Sequence, residues 1–411
     1  MRLLKSLGPG VITGAADDDP SGIATYSVAG AQLGTKLLWT ALLTWPLMAS
    51  VQFMCARIGM VTGQGLAASL SLKFPKWLLY VFILALLVAN TINIAADLAG
   101  MADAAEMLSG INSRWFVVLF AVAISWATVR LRYGQIANVL KWLVLVLFAY
   151  PITAFVVGAD WGQVARDTLV PSMPHSSAEW SMLVAILGTT ISPYLFFWQT
   201  SEEVEEEKEA GQNTLAKRRN AAPQELQARR LDVGIGTFFS NTVMFFIILT
   251  TAITLHSHGK THIETSRQAA EALQPLVGKF AATLFTVGIV GVGFLAIPTL
   301  AGSAAYAFAE TLGWRQGLDK KLRQARAFYA LILLSTAIGV GLNFAGINPV
   351  KALYWTAVIN GLLAPFLLVG ILAVAADKKV MQGQPSSRLG WSIVAITTLA
   401  MFAAGIAMFV V

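Results

Sequence analysis

Asp17-Asp18-Asp19-Pro20-Ser21-Gly22 interrupts an apolar run that extends from about residue 8 to residue 34. Three adjacent carboxylates inside such a run are incompatible with a lipid-facing helix, because each costs about 2.5–3.5 kcal/mol at the bilayer centre even on the most lenient scale. Proline removes a backbone donor and frees the carbonyl one turn earlier, and irregular backbone at that depth survives only where it is buried or lines a cavity. No Lys or Arg lies in the cores of the neighbouring spans to pair with these aspartates. Carboxylates at the C-terminal end of a half-helix also oppose its dipole. The missing partner is therefore expected to be a cation.

The rest of the chain supplies the setting. Of its 411 residues, 56% are hydrophobic and 12% charged, with a mean hydropathy of +0.66, far from the roughly one-quarter charged residues of soluble domains. Apolar runs of the roughly 20 residues needed to cross a bilayer recur throughout. They predict about eleven spans: 8–34 (broken), 38–56, 77–107, 115–131, 138–158, 180–201 (broken), 233–255, 278–309, 326–345, 351–376 and 390–410. The N-terminal Met1-Arg2-Leu3-Leu4-Lys5 resembles the start of a signal peptide, but the following run meets the aspartates without a small-residue cleavage site, so it reads as retained. The single cysteine, Cys55, offers neither a disulfide nor a thiolate cluster.

With the N-terminus inside, all but seven of the 29 Lys and Arg (Lys36, Arg114, Arg166, Lys260, Arg267, Lys279, Lys351) fall in inner loops. This bias predicts a multi-pass protein of the cell (inner) membrane with a cytoplasmic N-terminus and an extracytoplasmic C-terminus. Basic charge thus reports orientation, and no nucleic-acid partner is implied. The lipid bilayer is the expected surrounding, with no obligate protein partner and no cofactor. The longest polar insertion, 202–232, reads as a solvated cytoplasmic loop with opposed charge blocks. His256, His258 and His262 share an outer loop that lacks the fixed geometry of a metal site.

A second span is interrupted in the same manner, at Thr189-Thr190-Ile191-Ser192-Pro193-Tyr194. The two breaks are offset by five spans, so the second copy runs opposite to the first, as in an inverted repeat of five plus five helices with a trailing eleventh. Residues 1–411 then form a single all-α transmembrane domain: one repeat over about 8–158, a second over about 180–376 and an extra helix over about 390–410. Paired breaks point to one central site. Gly288, Gly291 and Gly293 read as close helix packing, and Asn90, Asn93 and Asn241 as interhelical hydrogen-bonding groups. Asp103 and Glu106 approach the outer end of their span and read as interfacial.

Gly8-Pro9-Gly10, the Asp-Pro break, Gly30-Ala31-Gln32-Leu33-Gly34, Leu37-Leu38-Trp39, Ala56-Arg57-Ile58-Gly59 and Val61-Thr62-Gly63 together resemble the opening of the NRAMP family of divalent-metal transporters. The likeness continues through Ala96-Asp97-Leu98-Ala99, Gly188-Thr189-Thr190 with Pro193, and Arg230-Leu231-Asp232. It implies a LeuT/APC-like fold and secondary transport by alternating access.

Two departures bear on the ion. The family's Asp-Pro-Gly-Asn is Asp19-Pro20-Ser21-Gly22 here, so the carboxylate is kept and the amide is lost; its Met-Pro-His is Ser192-Pro193-Tyr194, so the thioether is lost. The expected ligands are Asp19 by its carboxylate, Thr189 by its backbone carbonyl and Ser192 by a hydroxyl or carbonyl, with Gly22 leaving room for water. Asp18 is expected to line the ion's path or hold its waters, Asp17 to face a vestibule, and Asn360 to reach the ion through water. Carboxylate, carbonyl, hydroxyl and water are hard ligands suited to Mg²⁺ or Mn²⁺, whereas a thioether favours softer transition metals. This pattern resembles the NRAMP-related magnesium transporters. The family's proton relay, as the resemblance implies, falls at Asp97, Gly100 and Tyr194, of which only Asp97 keeps its chemistry. The sequence therefore predicts Mg²⁺ uptake, with Mn²⁺ as runner-up, weakly coupled to protons or uncoupled.

Rival classes fare worse. A carrier of organic anions would present backbone N–H groups at the first break, where the three aspartates would repel a carboxylate. A receptor without transport would survive loss of Asp19, and an enzyme would need a nucleophile and base inside the spans, which are absent from the sequence.

Overall fold

The computed structural model describes residues 9–131 and 145–411. Arg2, Lys5, Gly8, Arg132, Lys141 and the start of the predicted fifth span lie outside the described residues. Among the latter there are helices and no strands. The main helices are α1 (Pro9–Asp17), α2 (Pro20–Leu33), α3 (Trp39–Thr62), α4 (Lys76–Ser109), α5 (Ser113–Arg130), α6 (Ala149–Val157), α7 (Ser177–Thr190), α8 (Pro193–Glu209), α9 (Pro223–Thr254), α10 (Ala281–Leu312), α11 (Arg326–Asn343), α12 (Pro349–Ala376) and α13 (Arg388–Val410).

Nine of these stretches, counting α7 and α8 as one, are long and apolar enough to cross a membrane. The predicted first span is present as the two half-helices α1 and α2, each too short to cross alone. Both breaks take the same form. Two non-helical residues precede a proline at the first position of the next half-helix: Asp18 and Asp19 before Pro20, Ile191 and Ser192 before Pro193. The residue before each proline is extended, Asp19 at ψ 170° and Ser192 at ψ 132°, as the proline ring requires.

The packing follows the inverted repeat. α1 and α2 lie on α9, while α8 lies on α3; α4, the third span of one repeat, packs along α10, the third of the other. The half-helices pair crosswise, α1 with α8 and α2 with α7. Two close approaches set these distances. A Cβ on Gly14 would sit 2.5 Å from the backbone of Gly236, and one on Gly188 would sit 2.0 Å from the Ala357 carbonyl and 2.3 Å from Gly361 N. A side chain at either position would push α1 off α9 or α7 off α12. Of the α10 glycines read as packing positions, Gly293 makes a close approach, since a Cβ there would sit 2.3 Å from the Met101 sulfur of α4, whereas a Cβ on Gly288 would meet only ordinary contacts.

One correction concerns 202–232, predicted as a cytoplasmic loop. Residues 202–209 continue α8 and 223–232 begin α9, leaving 210–222 as the connection. Glu, Gln, Lys and Arg are strong helix formers even without an apolar stripe. Pro223 sits at N1, and the Glu225 carboxylate accepts the Ala222 N–H at 2.9 Å. The stretch is not uniformly solvated either. Glu203 is 1% exposed, and Arg229 pairs with it (2.8 Å), with Asp232 (2.7 Å) and with Glu206.

Candidate metal site

Asp19 caps α2 with one carboxylate oxygen and faces α4 with the other. Its Oδ1 accepts the Gly22 N–H at 2.7 Å and the Ser21 hydroxyl at 2.9 Å, satisfying a half-helix start within the membrane. Its Oδ2 lies 3.3 Å from Asn93 Nδ2. The carboxylate orientation is thus fixed by the break itself.

On α4, Asn90, Asn93 and Asp97 fall three and four residues apart, a spacing that puts them on one face. Asn93 Nδ2 also donates to Asp97 Oδ2 at 3.0 Å, and Asn93 Oδ1 accepts from Asn360 Nδ2 of α12 at 3.2 Å. Asn90 is different: its amide donates to the Leu300 carbonyl at 2.8 Å and the Ser303 hydroxyl at 2.9 Å, tying α4 to α10. Asn93, read from the sequence as another such tie, is instead the hub between Asp19, Asp97 and Asn360. The spacing of Asn93 and Asp97 was legible; their meeting with Asp19 was not.

Asp17 and Asp18 converge on Ser240 of α9, whose hydroxyl lies 2.7 Å from Asp17 Oδ2 and 3.1 Å from Asp18 Oδ1. Both carboxylates are buried, so Asp17 packs against α9 and does not face an open vestibule. Asp17 Oδ1, Asp18 Oδ2 and Asn360 Oδ1 have no hydrogen-bond partner. Ser240 carried no signal in the sequence, where it is one of several hydroxyls in an apolar helix.

At the second break, the Ser192 hydroxyl is 2.7 Å from both the Gly188 and the Thr189 carbonyls. Two predicted ligands, the Ser192 hydroxyl and the Thr189 carbonyl, are therefore hydrogen-bonded to each other, and an ion that took the carbonyl would displace the hydroxyl. The Thr189 hydroxyl lies 2.9 Å from the Tyr26 hydroxyl of α2, and the Tyr194 hydroxyl donates to the Ala16 carbonyl of α1 at 3.0 Å. These two bridges tie each half of the first broken span to the second break. Ala16 is at the end of α1, where carbonyls lack intrahelical partners.

Gly22 is not forced to be glycine. A Cβ there would meet Asp17 O at 3.4 Å and Asp19 Oδ1 at 3.5 Å, ordinary contacts. Gly100 is tighter, since a Cβ would stand 2.8 Å from Leu353 Cδ1. Leu353 thus fills the space beside Gly100, one of the positions to which the resemblance assigns the proton relay.

Asp17, Asp18, Asp19, Asp97, Asn93, Asn360, Thr189, Ser192 and Tyr194 are all at most 3% exposed, so the site is closed to both sides. Four buried carboxylates have no ion pair with Lys, Arg or His among the described residues. No three His, Cys, Asp or Glu side chains among the described residues stand close enough to hold a metal together. An ion here would thus rest on a few carboxylates supplemented by amide, hydroxyl and carbonyl oxygens. The polar groups of α4 beyond the site cap structure near its end, with Asp103 accepting the Ser266 N–H at 2.9 Å and Glu106 the Ser113 N–H at 2.7 Å. His256 donates from its ring Nδ1 to the Ala31 carbonyl, 2.8 Å away, and belongs to no metal-holding cluster among the described residues.

The family model described as Nramp, natural resistance-associated macrophage protein-like, matches residues 10–411. The chain belongs to the Nramp family. Relatives of this Nramp protein include the divalent metal cation transporter MntH of Caldanaerobacter subterraneus, 26% identical over 93% of this chain and 87% of that one. The MntH of Yersinia enterocolitica is 26% identical over 94% of this chain and 90% of its own length. Among solved structures, the Eremococcus coleocola manganese transporter superposes with TM-score 0.72 over 99% of this chain and 87% of that one, at 19% identity. MhsT, solved with L-phenylalanine, superposes with TM-score 0.58 over 98% of this chain and 97% of its own, at 13% identity. The fold is therefore the one predicted, an inverted-repeat transporter fold with helices one and six broken, and the Nramp protein is a multi-pass membrane protein.

Proposed function

We propose that this Nramp protein is a secondary transporter that moves divalent cations, Mg²⁺ by preference and Mn²⁺ as runner-up, into the cytoplasm by alternating access. The observation that carries the reading is the placement of Asp19. One of its oxygens is locked into the cap of α2, while the other faces Asn93 where the two breaks meet. Buried carboxylates without cationic partners attract a cation strongly, and relatives named as divalent metal cation transporters match over nearly the whole chain.

The preference for a hard ion rests on the second break. Thr189, Ser192 and Tyr194 present only oxygen there, from hydroxyls and carbonyls. Such donors suit Mg²⁺ and Mn²⁺. Mg²⁺ retains several waters, and glycine at position 22 presents no side chain to exclude them.

Uncoupled movement is supported by positions 100 and 194, where a glycine and a tyrosine stand at two of the three places to which the resemblance assigns the proton relay. Flux would then follow the membrane potential, worth about 2.3 kcal/mol per charge per 100 mV. A proton-coupled Mn²⁺ or Fe²⁺ transporter is the second reading. It is favoured by one observation, the link from buried Asp97 through Asn93 to Asp19.

Proteoliposomes loaded with a metal indicator and a pH indicator separate the two. The first reading expects Mg²⁺ entry at a rate set by the imposed potential, with internal pH constant. Mn²⁺ entry that a large excess of Mg²⁺ leaves unchanged, or acidification in fixed ratio to metal, would establish the second. Exclusion of Mg²⁺, Mn²⁺ and Ca²⁺ alike would refute both.

A further inference from the structure

The Asn93 side chain is buried with both N–H groups on carboxylates, Asp19 Oδ2 at 3.3 Å and Asp97 Oδ2 at 3.0 Å. Two carboxylates near one another in a low-dielectric interior repel unless positive charge or donors lie between them. The amide's N–H end fills that role. Its other end is an oxygen, and the amide torsion is broad and roughly two-fold. A half-turn about it exchanges two donors for one acceptor without moving α4.

Asn360 makes the exchange self-consistent. It donates to Asn93 Oδ1 at 3.2 Å, while its own Oδ1, on a residue 3% exposed, has no partner. A buried amide oxygen left unpaired is unfavourable. When Asn93 turns, its N–H groups face Asn360, whose amide turns in step and accepts through the oxygen that is now unpaired. Asn90, one turn earlier on the same helix, is held differently: its amide donates to the Leu300 carbonyl, which can only accept, and to the Ser303 hydroxyl, whose own proton is donated to that same carbonyl.

We propose that Asn93 is the amide ligand of the transported ion. Its N–H groups bridge Asp19 and Asp97 when no ion is bound, and its Oδ1 turns toward a divalent cation held by Asp19. The inference rests on the transport reading above and adds where the amide oxygen comes from: the side of α4, in place of the residue that is Gly22 here. An amide oxygen is hard and neutral, so it favours Mg²⁺, Ca²⁺ and Mn²⁺ over soft ions without adding negative charge.

The test measures Mg²⁺ and Mn²⁺ binding calorimetrically and by metal-induced thermal stabilisation of the full-length protein in lipid nanodiscs. Asn93→Leu is expected to weaken binding at least tenfold, and Gly22→Asn added to Asn93→Leu to recover most of it, because position 22 lies beside Asp19 Oδ1 with room for a Cβ. A strut would not be rescued from another helix, so wild-type affinity in Asn93→Leu, or no recovery in the double variant, overturns the proposal. Should Asn93→Leu fail to fold, Asn93→Asp keeps an oxygen and removes both donors. The ligand role expects the ion-free protein to melt lower and metal to raise its Tm by more than in wild type; an equal drop with and without metal overturns it. The wild type and Asp19→Ala run alongside. No metal binding by the wild type defeats the transport reading and this inference with it, whereas Asp19-dependent binding indifferent to Asn93 defeats the inference alone.

Discussion

The Tyr194 hydroxyl donates a hydrogen bond to the Ala16 carbonyl, 3.0 Å away, joining the start of α8 to the end of α1. Its counterpart joins Tyr26 of α2 to Thr189 of α7 at 2.9 Å. Each half of the first broken span is thereby held to one half of the second, and a movement of α1 away from α8 must break the Tyr194 bond. Tyr194→Phe removes that bond and leaves the ring. The closed form should lose about 0.5–1.5 kcal/mol, a two- to tenfold shift toward open forms. Reagent labelling of a cysteine placed at Gly22 should rise by that factor, and equal labelling would show that the bond does not hold the site shut.

Asp19→Asn tests the charge. The amide keeps the size of the side chain and one oxygen for the Gly22 cap, but the carboxylate facing Asn93 is gone. Removing one partner of a buried charge pair costs about 3–5 kcal/mol, so metal affinity should fall by more than a hundredfold. Ser240→Ala, by contrast, removes a donor to Asp17 and Asp18 and should change affinity by less than tenfold. Calorimetry on both variants checks the order; equal losses would place the ion at Asp17 and Asp18 and not at Asp19.

Ser192→Met tests selectivity. It replaces a hydroxyl bonded to the Gly188 and Thr189 carbonyls with a thioether, and should shift competition between Mn²⁺ and Mg²⁺ at least tenfold toward Mn²⁺. The larger side chain enters a closed site, so a lower Tm, by about 1–3 kcal/mol of stability, is expected with it. Unchanged competition in a folded variant would mean that position 192 does not touch the ion.

Legibility differed from residue to residue. Proline alone was a poor guide to the breaks, since Pro46, Pro298 and Pro365 lie inside continuous helices. Pro20 and Pro193 were readable because polar residues precede them in apolar surroundings, and the matching offset exposed the inverted repeat. The helical character of 202–209 was hidden because charged helix formers leave no apolar period to detect. At the site, Asp19 was legible as a charge without a partner, but Asn93 and Ser240 were not. Each is an ordinary polar residue in its own helix, and its role arises only from what the opposite helix brings to it. The bond between Ser192 and the Thr189 carbonyl was hidden for the same reason: a backbone turn decides whether a hydroxyl points to a ligand or to its own chain.

Arg229 closes the end of the molecule where α1 begins. It pairs with Glu203 at 2.8 Å, with Asp232 at 2.7 Å and with Glu206, and Asp232 accepts the Gly10 N–H at 2.8 Å. Arg229 is 10% exposed at its side chain and Glu203 1%, so the loss of Arg229 leaves buried charge uncompensated, an effect of about 3–5 kcal/mol. Part of that falls on the global fold, and part on the contact between α1 and the starts of α9 and the end of α8. Arg229→Gln should therefore speed hydrogen exchange over residues 10–17 well beyond its effect on α12, which carries none of the paired residues. It should also raise accessibility of Asp19 from that side while leaving metal affinity within a few-fold of wild type. Exchange accelerated equally in both helices would assign Arg229 to global stability alone, and a hundredfold loss of affinity would place its charge in the field of the ion.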